Sequence, residues 1–395
     1  MRRQLSAALA ATIGAIALPV VVDAPARAAE GRNCTTDETQ YVTEPAGLLN
    51  LQQTGFEQSW RFATGKGVVV AVVDSGVNQR NVHFSRGLED GTSFVGGAGT
   101  DDLQGHGTAV AGIIGARTFG DSVLVGAAPD ATIVPVRVNT VADQISTANV
   151  AKGIRWAAER DEVDVINISI STGPSDPQLK ALRAATALAV KNDKVVVASA
   201  GNGPGRDNPY TQVQYPAGFP GVLGVAATTP GGGVDNYSIH GKHVDVSAPG
   251  VNVLAPFHAV GDCLFGIDQP YTSYATPFVS ALAAQLRERF PKDSAADIAN
   301  RITSTADRPR IAERNDIEGW GRIQPVAALT SSEATPPGER RSSIKPPAGT
   351  SITARAAADD PLAGPRDRLL WWALGATALL SVALVARPLS ARMRR

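Results

Sequence analysis

The chain has little cysteine, few aromatic residues and no surplus of either charge. Two cysteines in 395 residues exclude a small scaffold stapled by disulfides and any all-cysteine metal centre. No Cys/His spacing suits zinc, Asp and Glu form no dense cluster, and no internal repeat is visible. Nothing in the sequence therefore calls for a cofactor or a metal, although a calcium site made of backbone carbonyls leaves no trace in a sequence. Lysine plus arginine equals aspartate plus glutamate, 37 against 37, so no basic surplus points to nucleic acid. Charged residues amount to 19%, below the usual quarter. Hydrophobic residues at 43% can fill one large domain with appendages, or two ordinary ones.

Both ends read as membrane-related. Arg2 and Arg3 precede an uncharged apolar run from Leu5 to Val22, and Ala26-Arg27-Ala28 supplies a small-x-small cleavage pattern. Residues 1–28 read as a secretory signal peptide; an uncleaved anchor is the other reading. Near the other end, Leu369 to Ala386 carries no charge and as a helix covers about 27 Å, close to a bilayer's apolar core. Trp371 and Trp372 stand at its start, and Arg387, Arg392, Arg394 and Arg395 follow it. The expectation is a span at 367–387 with a short basic cytoplasmic tail at 388–395 and the bulk of the chain outside the membrane. Residues 331–366, with Pro336-Pro337 and Pro346-Pro347, read as an extended linker. In an exported chain Cys34 and Cys263 can pair in one way only, or remain two thiols. A bridge would tie the N-terminal segment to a loop ten residues before Ser273, with on the order of 5 kcal/mol from loop closure.

Between these ends the pattern alternates strand and helix. Residues 29–61 are too apolar for a loose tail, with Leu48, Leu49, Leu51, Phe56 and Trp60. They read as an extension packed on the main domain, or as a propeptide. Val68 to Val73 is an apolar run that fits a strand buried on both faces and ends at Asp74-Ser75-Gly76. Gly105-His106-Gly107-Thr108 opens an apolar helix. Strands are expected at Thr132–Val138, Val163–Ile170, Val195–Ala198, Val222–Ala227 and Val244–Val246. Helices are expected at Asn149–Arg160, capped by Ser146 or Thr147, from Ser175-Asp176-Pro177 to Asn192, and after Ser294. Tyr271-Thr272-Ser273-Tyr274-Ala275-Thr276-Pro277 opens a longer helix striped by Val279, Leu282, Leu286 and Phe290. Proline is tolerated in a first turn, which places Ser273 at or near that helix's N-terminus. The fold class is α/β, with helices layered on a mostly parallel sheet over 62–330.

Four residues at element ends carry complementary chemistry. A serine hydroxyl needs a base, histidine is the usual one, and a buried carboxylate fixes its tautomer. An oxyanion needs aimed donors, for which an asparagine amide and a helix-start N–H serve. Asp74, His106, Asn202 and Ser273 supply these parts, in the Asp, His, Ser chain order of one convergent triad.

The runs VAVVDSGV, GHGTAVAGI, SAGN, VDVSAPG and TSYATP resemble the motifs of subtilisin-like serine proteases from about Gly67 to Leu329. Leader, N-terminal extension, Pro-rich linker, single span and basic tail resemble the mycosins, membrane-anchored subtilases associated with type VII secretion. The resemblance implies a three-layer subtilisin-like fold with Asp74 as orienting acid, His106 as base and acid, and Ser273 as nucleophile. It also implies Asn202 and Thr272 at the oxyanion, and Ile168, Ser169 and Ile170 as the strand that pairs with substrate. Expected partners are a protein or peptide substrate, the membrane, and membrane proteins of a secretion machine; nucleic acid is not among them. Two positions depart from the family pattern. Tyr271 and Ser171 stand where glycine is usual; Tyr271 calls for a different local turn, a narrowed cleft or weak activity, and Ser171 for a different shape of the first specificity pocket. An active membrane-anchored endopeptidase is thus one reading, and a mainly structural subunit of a secretion complex is the other. A secreted nutrient protease fits poorly with a span.

Overall fold

Five consecutive apolar residues and a closing aspartate form the first strand, because a parallel strand covered on both faces needs no polar side. It is β1 (Val69–Asp74), followed by β2 (Thr92–Ser93), β3 (Thr132–Arg137), β4 (Val165–Ile168) and β5 (Val195–Ser199). Then come β6 (Val222–Thr228), β7 (Val246–Pro249), β8 (Val253–Pro256) and β9 (Asp262–Phe265). The helices are α1 (Leu49–Thr54), α2 (Phe56–Ser59), α3 (His106–Gly115), α4 (Thr147–Ala158), α5 (Leu179–Lys191), α6 (Thr272–Arg289), α7 (Ala295–Thr305) and α8 (Pro325–Thr330). The computed structural model describes residues 34–140, 145–203, 211–267, 269–307 and 313–332. The expected leader, span and tail, and the expected linker beyond Ser332, lie outside them. Among the described residues no helix is long and apolar enough to cross a membrane.

Seven parallel strands form one sheet in the order β2-β3-β1-β4-β5-β6-β7. Alternation along β1 splits the core. Val70 and Val72 face α3 and α6 on one side, while Ala71 and Val73 face α4 and α5 on the other. The result is three layers, with every strand from β1 to β7 except β2 largely buried. Strands and their following loops bring Asp74, Ser169 and Asn202 to the carboxyl edge of the sheet, where α/β folds gather ligands.

Several boundaries differ from the sequence reading. The helix expected from Ser175 begins at Leu179, because the Asp176 side chain is engaged locally. It accepts from Thr147 Oγ1 and Thr172 Oγ1 and from the Gln178 N–H, forming a turn before the helix. Pro277 stands inside α6, not in its first turn. Cys263 lies in β9, one arm of an antiparallel β8–β9 hairpin, and not in a loop. That hairpin escaped the sequence reading because its strands are four residues each and its connecting turn carries no two-residue turn signal. Cys34 and Cys263 are bonded, with Cα atoms 5.8 Å apart.

Residues 34–61 bury apolar side chains in the main core. Phe56 is fully buried, with its ring 6.0 Å from that of Phe278 on α6. Ser59 hydrogen-bonds the buried Gln285 amide, and Trp60 Nε1 donates to Ala127 O. The following N–H groups of Thr64, Gly65 and Lys66 all donate to Glu288 Oε2, at 2.7 to 2.9 Å. Phe56→Ala should therefore cost about 3–5 kcal/mol, the range for deleting a buried aromatic ring. Urea unfolding of the protein measures it, and a loss below about 1 kcal/mol would show that this ring is not part of the core.

Candidate active site

Asp74 terminates β1 with its side chain 1% exposed. Its Oδ1 accepts from the Ser75 N–H at 2.8 Å and meets His106 Nδ1 at 2.7 Å. A carboxylate only accepts, so Nδ1 holds a proton and Nε2 is the nitrogen left to act as a base. His106 is the first residue of α3. The turn before it is organised by Asp102, a buried carboxylate that the sequence reading passed over. Asp102 accepts from Ser75 Oγ, from the Gln104, Gly105 and Thr108 N–H groups and from Thr108 Oγ1. The visible signal was an acid a few residues ahead of a helix start, the ordinary place for a capping carboxylate. Ser75 completes the junction, since its Oγ accepts the Gly107 N–H at 2.9 Å. Only glycine fits at 107, where a Cβ would stand 2.1 Å from Gly76 O.

The charge around His106 is asymmetric. Burial disfavours the imidazolium and is the largest single effect, but Asp74, by charge and hydrogen bond, opposes it, and Asp102 adds to Asp74. The net result lifts His106 above its ordinary value. The ring keeps 20% of its surface open, so a reacting group can reach it.

Ser273 is the second residue of α6 and is 7% exposed. Pro277, four residues on, has no N–H to give Ser273 O its helical bond. Ser169 Oγ supplies it instead, at 2.9 Å. Ser169 in turn accepts from Asn167 Nδ2, and Asn167 Oδ1 accepts from Ser280 Oγ. The buried residues at the end of β4 thus hold the backbone of Ser273 from across the domain. Ser169 was expected on the substrate strand, and its hydroxyl is used on α6. Ile168 is paired on both sides, to Val73 and Ala198, with its side chain in the core. Ile170 is also buried.

Asn202 lies just past β5. Its Oδ1 accepts from the Thr272 N–H at 2.8 Å and from Thr272 Oγ1 at 3.0 Å. Both partners donate, which assigns the oxygen and turns the Nδ2 donors away from Thr272. The Thr272 hydroxyl, expected at the oxyanion, is here spent on orienting Asn202. Tyr271 caps α6 in an extended conformation, φ −86° and ψ 126°, so this turn needs no glycine there. The tight spot lies across from it. Tyr271 N donates to Gly250 O, and a Cβ on Gly250 would stand 2.6 Å from Tyr271 O. Tyr274, next to Ser273, was not singled out from sequence. Its ring centroid is 5.6 Å from that of His106, and burial, then the Asp74 charge, pushes its hydroxyl above the usual range.

Comparison with known proteins identifies the family. Residues 65–321 match the subtilase family, peptidase S8. The chain is 34% identical to Mycosin-4 of Mycobacterium tuberculosis (strain ATCC 25618 / H37Rv), over 94% of this chain and 88% of that protein. It is 35% identical to Subtilisin Savinase of Lederbergia lenta, over 66% of this chain and 91% of that one. Among solved structures, MycP1 from the ESX-1 type VII secretion system superposes with a TM-score of 0.66 at 30% identity, covering 76% of this chain and 91% of that chain. The chain belongs to the subtilase family of serine endopeptidases, and within it to the mycosin type.

Proposed function

We propose that Asp74, His106 and Ser273 form the catalytic triad of this endopeptidase, with Asn202 as oxyanion donor. The observation that carries the reading is the pair of orienting contacts. His106 Nδ1 is held by Asp74, and the Asn202 oxygen is held by Thr272, so a basic nitrogen and an amide donor are both left free at the start of α6. In the reaction, His106 Nε2 takes the Ser273 proton as Oγ attacks the carbonyl. It then gives that proton to the departing amine, leaving an acyl-enzyme that water hydrolyses. Asn202 Nδ2 steadies the negative oxygen of the tetrahedral intermediate. Extended substrate is placed along Ser169 and Ile170, which lie past the paired part of β4; Ile168, expected on the same strand, is paired on both sides and has no edge to offer.

The wider setting is proposed from the sequence together with the relatives. A leader at 1–28 and a span at 367–387, followed by the basic tail 388–395, put residues 62–330 outside a membrane. The linker 331–366 joins domain to span, and 29–61 is retained as a packed extension. Likeness to MycP1, described as from a type VII secretion system, supports substrates among secreted proteins and partners among the membrane proteins of such a machine. A second role, holding that machine together, is favoured by a MycP1 structure described as an essential component of the system. It is compatible with the first.

Ser273→Ala should abolish labelling by a fluorophosphonate probe while the protein stays folded. No labelling of folded wild-type protein would sink the triad. Secretion that survives Ser273→Ala yet is lost on deletion would make the structural role primary. Asn202→Ala should lower kcat by about 10²–10³, the loss found for one such donor in a subtilisin, with KM little changed; a change confined to KM argues against the oxyanion role. The base must be neutral to work, so activity rises with pH through the raised His106 value. The acid limb of kcat/KM is expected above the ordinary histidine value of about 6.5. Asp74→Asn removes the charge that raises it. The limb should then shift to lower pH, with a plateau about 10⁴ lower. A limb that does not move would mean that another group controls the profile. For stability the sign is that of a raised histidine. Its contribution is full below the unfolded-state value and fades as pH rises through the folded one.

A further inference from the structure

The amino edge of the sheet, opposite the edge that carries Asp74, Ser169 and Asn202, holds a cleft that the chemistry above does not use. It opens where Gly221 precedes β6 and Asp245 precedes β7. Its volume is about 400 Å³, enough for a small ligand or a large side chain. Val190 at the end of α5, Ala295 and Ala299 of α7, and Trp320 supply apolar walls, and all four are half-buried. Trp320 is fixed beside Asp245, because its N–H donates to Asp245 O at 2.7 Å.

Two carboxylates border the cleft, and the fold treats them differently. Asp193 is engaged at both oxygens: Oδ1 accepts from the Ala295 N–H at 2.6 Å, and Oδ2 accepts from Arg287 at 3.0 Å. Asp245 Oδ2 accepts from the Gly224 N–H at 2.9 Å, and its Oδ1 has no partner among the described residues. Arg314, whose charge reaches Asp245, spends its guanidinium on Gly241 O, Val244 O and Asp316 Oδ1. Burial, the largest effect, lifts the Asp245 carboxyl to about 6, against the Gly224 N–H and Arg314. A carboxylate so placed gains from a cation brought to it from outside, since burial has weakened both its hydration and its screening.

We infer that this cleft is a docking pocket for an arginine side chain of a partner protein, with the guanidinium on Asp245 and the stem along Val190, Ala295, Ala299 and Trp320. One acid in an otherwise apolar wall suits a side chain that is apolar along its stem and charged at its tip. Arginine suits it better than lysine, because its planar head packs on an indole ring and is more weakly hydrated. A free amino acid would bring its own carboxylate into a cleft bordered by two acids, whereas a residue within a chain brings none. Alanine at 295, 296 and 299 keeps the rim low, so a chain can lie across it. A partner seated at the amino edge leaves the Ser273 edge clear, and the inference does not rest on the triad.

The test measures binding of acetyl-Gly-Arg-Gly-amide to the full chain by saturation-transfer NMR. Acetyl-Gly-norleucine-Gly-amide, which keeps an apolar stem and lacks the charge, is the comparison. The arginine peptide should bind about tenfold more tightly. Asp245→Asn keeps an oxygen for the Gly224 N–H and should abolish that difference. Trp320→Leu should weaken the arginine peptide several-fold. Equal affinity of the parent chain for the two peptides overturns the inference with no variant needed. An arginine preference that Asp245→Asn leaves intact overturns it as well. Free L-arginine binding more tightly than the arginine peptide overturns the docking role, since the cleft would then serve a small molecule.

Discussion

Helix α6 is buried from Thr272 to Leu286 except at Tyr274, and its first turn is fixed by hydrogen bonds reaching it from two strand ends. Asn202 beyond β5 binds the Thr272 N–H, and Ser169 beyond β4 binds the Ser273 carbonyl that Pro277 leaves open. A serine on a free helix end would fray, since the first N–H and the last C=O groups of a helix have no internal partner. Here the end is held by side chains that are themselves held, with Asn167 bridging Ser169 to Ser280 on the same helix. Removing any link leaves a buried polar group unpaired, which costs more than the bond itself contributes. Positional accuracy at Ser273 therefore depends on the packing of α6 against β4, β5 and β6.

The second support comes from the N-terminal segment. Gln40 pairs with the backbone of Val260 and Asp262, and Val42 N donates to Asp262 Oδ2. Asp262 also accepts from Ser122 Oγ and faces the fully buried His83 at 2.7 Å. His83 Nδ1 meets the Arg117 carbonyl, which only accepts, so that nitrogen carries a proton. The Cys34–Cys263 bond adds a covalent link at the same strand. One side of the β8–β9 hairpin is thus fastened to residues 34–42, while Phe265 on its other side stands against Tyr274. A segment distant in sequence from the chemistry steadies one wall of the site.

Two acids of similar burial do different work beside His106. Asp74 uses one oxygen on the imidazole, whereas Asp102 spends both oxygens on the backbone and hydroxyls of the turn before α3. The difference follows from position. Asp74 ends a strand and points across the sheet edge, and Asp102 sits where unpaired N–H groups of a helix start converge. Asp102 acts on the histidine through charge and through the shape of the turn.

The sequence by itself determined the layered α/β class, because alternating apolar runs and capped amphipathic helices have few other ways to bury themselves. It also singled out Asp74, His106, Asn202 and Ser273 as the candidate set, since each sits at an element end marked by glycine or proline. Boundaries were less legible wherever side chains compete with the backbone, as at Asp176 before α5. Only the tertiary structure decided which way the Asn202 amide faces, that the Ser169 hydroxyl is spent on Ser273, and that Tyr271 lies extended. The same holds for the β8–β9 hairpin and for the meeting of Tyr237, Tyr271, Tyr274 and Phe265. These are contacts between residues up to a hundred or more positions apart. Their geometry is set by how α6 seats on the sheet, and local periodicity carries no information about that.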